Sequence, residues 1–133
     1  MKRRELREIA FQTIYQVDVG KNEVNTAIRE RFIDTVVNDK DQVFCRNLIM
    51  GTLEKLPEID AIIEKYAIDW KVERMLSVDR NILRLAVYEM HFSDTPAKVA
   101  LNEALELAKI FGSVESPKFI NGILGQIIKK TGE

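Results

Sequence analysis

The residues best suited to chemistry in this chain are cations at one end. Lys2, Arg3, Arg4 and Arg7 crowd its first seven positions. Guanidinium groups match phosphate oxygens in charge and in fork geometry. On a helical wheel at ~100° per residue, Glu5, Glu8, Gln12 and Gln16 share one polar side. Leu6, Ala10, Phe11, Ile14 and Tyr15 cover most of the rest, which predicts a largely buried helix. Arg3, Arg4 and Arg7 sit above the apolar columns, one turn too early to be core. They are expected to emerge where the helix leaves the bundle, beside Phe11 and Tyr15. Clustered guanidiniums beside aromatics suit phosphates and stacked bases. The plainer alternative is a solvated basic terminus that only aids solubility.

A second group is Ser116-Pro117-Lys118-Phe119-Ile120-Asn121-Gly122. A helix N-terminus offers free N–H groups and partial positive charge, and Lys118 adds a full one. Phe119 and Asn121 have the chemistry to stack on a base and hydrogen-bond it. Gly122 and Gly125 each cost a helix about 1 kcal/mol against alanine, which suggests close helix packing or close approach of a ligand. The alternative is a well-capped core helix with Phe119 buried.

The segment Val78–Met90 is apolar almost all round its wheel and should be central. Arg80, Arg84 and His91 form one narrow polar seam. Glu89 falls on an apolar side, where an unpaired carboxylate is costly, so it requires a hydrogen-bonded or cationic partner. Asp79, at the helix start, is either a charge near the cap or a contact to a partner.

Nucleophilic catalysis would have to use the single cysteine, Cys45, and the single histidine, His91. Cys45 lies within an apolar helical pattern and reads as a small core residue. The carboxylates are scattered as on solvated helix faces, and no glycine-rich nucleotide loop occurs. No enzyme is expected. One cysteine excludes an internal disulfide and any multi-cysteine metal site, so neither metal nor cofactor is expected.

The elements that must position these groups are helices. The chain has 133 residues, 46% hydrophobic and 31% charged, enough for a buried core in one domain or in two small lobes of about 1–70 and 71–133. Lys and Arg total 20 against 21 Asp and Glu, a net charge of −1, so a globally basic nucleic-acid binder is excluded and a local patch is not. No apolar run approaches the ~18 residues of a membrane span, and Glu5, Arg7 and Glu8 interrupt any signal-peptide core. A soluble cytoplasmic protein is expected.

Apolar spacing predicts helices over about 3–19, 24–37, 41–56, 57–66, 78–92, 96–111 and 117–130. Ile28, Phe32 and Val36 carry the second. Asp41 and Ser77 are predicted caps of the third and fifth. The stretch from Trp70 to Leu76 reads as a short connecting turn or helix. Pro57 and Pro96 suit helix starts. Gly112 is expected as a left-handed C-terminal residue. The fold class is therefore all-α, a compact bundle of about seven helices, with no βαβ scaffold for a Rossmann site.

Four stretches resemble the NusB family of bacterial transcription antitermination factors. They are Arg3-Arg4-Glu5-Leu6-Arg7-Glu8 with Gln12–Gln16, Val78–Met90, Pro96 with Val99–Lys109, and Phe111-Gly112 with Lys118–Leu124. Their order and spacing make the match specific, while the stretch from about Lys21 to Lys65 carries little signature. The resemblance implies a seven-helix fold, no catalysis and no cofactor. It implies binding of boxA, a short single-stranded element of ribosomal RNA leaders, together with NusE, a small-subunit ribosomal protein. The complex would join NusA, NusG and RNA polymerase and promote ribosomal RNA transcription. Position by position, Arg3, Arg4 and Arg7 match the family's RNA-contacting arginines, with Lys2 beside them. Lys118 and Phe119 match its second RNA-contacting segment. Tyr15 and Asp79 match positions facing NusE, and Glu115 falls in a loop where the family often has an acidic residue. The chain departs from the family at Leu6, where a small residue is common, and at Pro117.

Both lines of reading give a discontinuous RNA groove made from Lys2, Arg3, Arg4, Arg7, Lys118, Phe119 and Asn121. Neutralising about four phosphates gives a slope of log affinity on log salt near −3. The competing reading is a helical protein–protein adaptor without sequence-specific RNA binding. A related all-α domain occurs in ribosomal RNA cytosine methyltransferases, but that enzyme needs a glycine-rich α/β domain that this sequence lacks.

Overall fold

Helix α1 (Arg3–Val19) begins with Glu5 folding back, its carboxylate accepting the Lys2 backbone N–H at 3.0 Å. That contact satisfies one of the orphan donors of a helix start. A computed structural model describes residues 1–131 of the chain. Among them, six further α-helices follow: α2 (Val24–Phe32), α3 (Asp39–Glu54), α4 (Leu56–Tyr66), α5 (Ser77–Phe92), α6 (Ala97–Phe111) and α7 (Ser116–Thr131). A 3₁₀ turn at Val72–Arg74 joins α4 to α5. The all-α, seven-helix expectation holds.

Helix α5 is the hub, packing against α1, α3, α4, α6 and α7. Its residues from Asn81 to Val87 are all buried, as its wheel requires. Its Ile82 and Leu83 are fully buried in one cluster with Leu6, Ile14, Ile49, Ile59, Ile63, Ile120 and Leu124 of the helices around it. Tyr88 lies directly on the backbone of α3, where a Cβ built on Gly51 would stand 2.2 Å from its Cζ. Glycine is the residue that lets α3 and α5 approach this closely.

Several expectations are corrected at helix ends. Helix α2 stops at Phe32, and Val36 is 99% exposed. The β-branched run Thr35-Val36-Val37 loses χ1 freedom in a helix, and nothing buries Val36 in compensation. Asn38, not Asp41, caps α3, its side-chain oxygen accepting the Asp41 N–H at 2.8 Å. Ser77 lies inside α5, which starts after Leu76 with no side-chain cap. Gly112 has φ −93° and ψ −175°, extended rather than left-handed. Its small size serves crowding instead, since a Cβ there would meet the Ser116 hydroxyl at 2.5 Å. Gly122 and Gly125 have no atom within 4 Å of such a Cβ, so helix packing does not require either.

Candidate RNA interface

The basic tip of α1 divides its three arginines among three environments. Arg7 is buried, and its Nε donates to Glu89 Oε1 at 2.9 Å while its Nη2 donates to Oε2 at 3.0 Å. Thr95 Oγ1 donates to the same carboxylate at 2.9 Å. The partner that Glu89 requires is therefore Arg7, 82 residues earlier in the chain. Arg4 is exposed and meets Glu103 of α6 in a fork, Nε and Nη2 to Oε2 at 3.2 and 2.9 Å, with Glu106 at 3.8 Å. Arg3 is exposed and lies over Phe44 of α3, 3.8 Å from its ring centroid. Lys2 is exposed beside them.

These positions differ from the aromatic setting expected for the arginines. Phe11 is buried and packs on Phe111 at 5.1 Å between centroids, so Phe44 is the arginine's aromatic neighbour instead. The cation–π geometry over Phe44 fixes the Arg3 head without neutralising its charge. Arg3, Phe44, Asn47, Phe92 and Thr95 surround an open groove of about 630 Å³ whose inner wall is Arg7.

The start of α7 forms the second part. Lys118 is exposed and Phe119 half-buried. Phe119 meets Trp70 edge to face, with centroids 5.9 Å apart and planes at 76°. Asn121 is exposed but stands about 200° round the helix from Phe119, so the two do not share a face. Helix α6 links the two parts: Glu103 and Glu106 hold Arg4, and Phe111 lies eight residues beyond Glu103, about 12 Å along the axis.

The partner-facing positions come close to each other. Tyr15 lines a groove of about 630 Å³ with Phe11, Gln12, Arg31, Val78 and Phe111. Asp79, next to Val78, is only 4% exposed, and its Oδ1 is buried without a hydrogen-bond partner. Burial pushes its carboxyl above the ordinary range, and the Ser116 hydroxyl partly offsets this. Asp79 thus lies beneath the surface at the junction of α5 and α7.

The polar seam of α5 is an internal ion network. Arg80 donates to Asp18 at 2.7 Å, and Arg84 forms a fork with Asp60 at 2.8 and 2.9 Å. Burial would raise the Asp18 carboxyl, but hydrogen bonds from Arg80 and Asn81 and the charges of Arg80 and Arg84 hold it below the ordinary value. His91 is exposed, outside this network.

Cys45 is buried, points at the Leu6 carbonyl at 3.5 Å, and has its thiol pushed up to about 12 by burial. It is inert as a nucleophile at neutral pH. Among the described residues no group of three or more ligating side chains gathers for a metal, and no helix is long and apolar enough to cross a membrane.

Three residues that sequence reasoning passed over shape the interface: Phe44 under Arg3, Glu103 holding Arg4, and Trp70 beside Phe119. Trp70 carried a usable signal, as the lone tryptophan placed in a connecting turn outside any helical period.

Comparison with known proteins addresses the family and the fold. The NusB family model matches residues 4–129. The transcription antitermination protein NusB of Desulforamulus reducens is 46% identical over 134 residues, covering 100% of this chain and 94% of the relative. Among solved structures, NusB of T. maritima superposes with a TM-score of 0.90 at 36% identity, over 98% of this chain and 92% of that one. A solved complex of the antitermination factors NusB and NusE with double-stranded RNA matches with a TM-score of 0.85 at 25% identity, over 98% and 99% of the two chains. The family is a non-enzymatic one. This chain belongs to the NusB family of transcription antitermination proteins.

Proposed function

We propose that this antitermination protein binds boxA single-stranded RNA together with NusE and joins RNA polymerase, NusA and NusG to promote ribosomal RNA transcription. One observation carries the RNA part of the reading. In a chain of net charge −1, Lys2, Arg3 and Arg4 stay exposed at one tip, and Lys118 with Phe119 stays accessible at the far end of α6. Exposed guanidiniums set backbone register, and an accessible aromatic reads unstacked bases. Arg7 contributes by bracing the tip through Glu89, and Asn121 faces solvent on the opposite side of α7 from Phe119. NusE is assigned to the groove between Tyr15, Val78 and Phe111, with Asp79 beneath it. Residues 1–70 and 71–133 act as a single RNA-binding unit around α5.

Fluorescence anisotropy with a labelled boxA-like strand and a scrambled strand, each with and without NusE, tests this. Selective binding that tightens with NusE supports the proposal through linked binding. Equal or absent binding in all four titrations, with folded protein, overturns it and favours the protein–protein adaptor.

A further inference from the structure

We propose that Trp70 and Phe119 form a subsite for one unstacked base of single-stranded RNA, with Lys118 placed for the adjoining phosphate. The proposal rests on the reading of this chain as an RNA binder and adds a residue and a slot to it. A groove of about 450 Å³ opens between the end of α4 and the start of α7, lined by Ala67, Ile68, Trp70, Phe119, Gly122 and Ile123. Trp70 is 49% exposed and Ile68 80% exposed, so this connecting turn presents large apolar surface to the groove. The turn that presents them is firmly built. The Trp70 N–H donates to the Ala67 carbonyl at 2.9 Å, and Asp69 holds φ 67°. Beyond it, the Val72 N–H is taken by Glu64 at 2.9 Å.

The geometry suits a planar occupant. The Trp70 and Phe119 planes stand at 76°, so a base lying on one ring face meets the other ring edge-on. At Gly122 no neighbour lies within 4 Å of where a Cβ would stand, so the wall there is low and backbone is exposed. Charge selects among apolar occupants. Lys118, exposed and in none of the ion pairs among the described residues, stands on the lining of this groove, its ammonium free for a phosphate. The one carboxylate on the lining, Glu115, accepts the Ser113 hydroxyl at 3.3 Å. Stacking on an aromatic beside a cation is how single strands are held without a duplex.

Trp70 is the only tryptophan, so its emission reports this slot alone. The experiment titrates the full chain with a labelled boxA-like strand and reads RNA anisotropy and tryptophan emission together. Trp70→Leu, Trp70→Phe and a series of strands with one abasic position each complete it. Emission and anisotropy should share one midpoint. Trp70→Leu should weaken binding roughly tenfold, while Trp70→Phe keeps most of the affinity. One abasic position should weaken the native chain and leave Trp70→Leu unaffected, the mark of a coupled pair. Rising anisotropy with unmoved emission and native affinity in Trp70→Leu overturns the subsite and leaves the RNA reading standing. Uniform loss across the abasic series in Trp70→Leu also overturns it, by assigning Trp70 to the fold. Emission that answers a protein partner but not RNA gives the groove to that partner. No anisotropy change with folded protein overturns subsite and RNA reading together. If Trp70→Leu fails to fold, the emission titration and Trp70→Phe decide the matter.

Discussion

Arg7 Nε lies 2.9 Å from Glu89 Oε1, with the two side chains 9% and 2% exposed. The pair ties the first turns of α1 to the last turn of α5, and Thr95 completes the hydrogen bonding of the carboxylate. Removing one partner of a buried pair strands the other, at a cost of about 3–5 kcal/mol. Glu89→Ala leaves Arg7 only its longer contact to Glu103 at 3.6 Å, so it should lower unfolding stability in urea by an amount near the low end of that range, about 3 kcal/mol. The double variant Arg7→Met/Glu89→Leu should lose much less, because no charge is left behind. A cost for Glu89→Ala near that of an exposed ion pair would mean that solvent reaches the site and that the pair does not brace the tip.

Arg3 and Arg4 should behave in the opposite way. Their heads are exposed, so Arg3→Ala/Arg4→Ala should hardly move the melting temperature. It should weaken boxA binding and flatten the slope of log affinity on log salt by roughly 1.4, at about 0.7 per phosphate contact on a single strand. Glu103 competes with phosphate for Arg4, so Glu103→Gln should tighten RNA binding at low salt. An unchanged salt slope in the double alanine variant would remove both arginines from the interface.

Two aspartates should give stability–pH curves of opposite sign. Asp18 is held below its ordinary value of 3.8 through hydrogen bonds and the charges of Arg80 and Arg84. It contributes stability above that value and loses it as pH falls through its lowered folded pKa. Asp79 is raised above 3.8 by burial, so its ionisation costs stability at neutral pH, and the cost fades as pH falls through its raised folded pKa. Asp18→Asn should lower the melting temperature at pH 7, and Asp79→Asn should raise it. Both differences should shrink in acid, that of Asp79 first. Thermal melts from pH 3 to pH 7 check the order, and a loss of stability in Asp79→Asn at pH 7 would contradict it.

Gly51 tests the closeness of α3 and α5. Its missing side chain makes room for the Tyr88 ring, so Gly51→Ala should destabilise the fold by about 1–3 kcal/mol despite better helix propensity. Combined with Tyr88→Ala, the loss should be less than additive, because the clash is gone. Strict additivity in denaturant titrations would show that the ring turns aside freely.

Much of this molecule was legible from spacing alone. The periods of α1, α5, α6 and α7, the start at Pro57 and the stop before Gly20 are local properties, set by which residues recur every three or four positions. The same arithmetic showed that Glu89 needed a partner on an apolar face. It could not say that the partner is Arg7, because that contact exists only once α5 is threaded against α1. Nor could it separate the three arginines, which share a charge and a helix end. Packing buries Arg7, hands Arg4 to Glu103 and lays Arg3 on Phe44. The end of α2 was misread because Val36 fits the apolar spacing while no neighbour comes to cover it. Gly112 is extended, and what calls for glycine there is the closeness of Ser116, a fact of the α6–α7 corner rather than of a left-handed turn. Trp70 meets Phe119 through tertiary contact too, two residues 49 positions apart joined where the end of α4 meets the start of α7. Local spacing, acting over one or two turns, thus determined the helices and the kinds of residue they carry. The tertiary structure alone decided which of those residues are spent on each other and which are left facing solvent, because that depends on contacts between segments far apart in the chain.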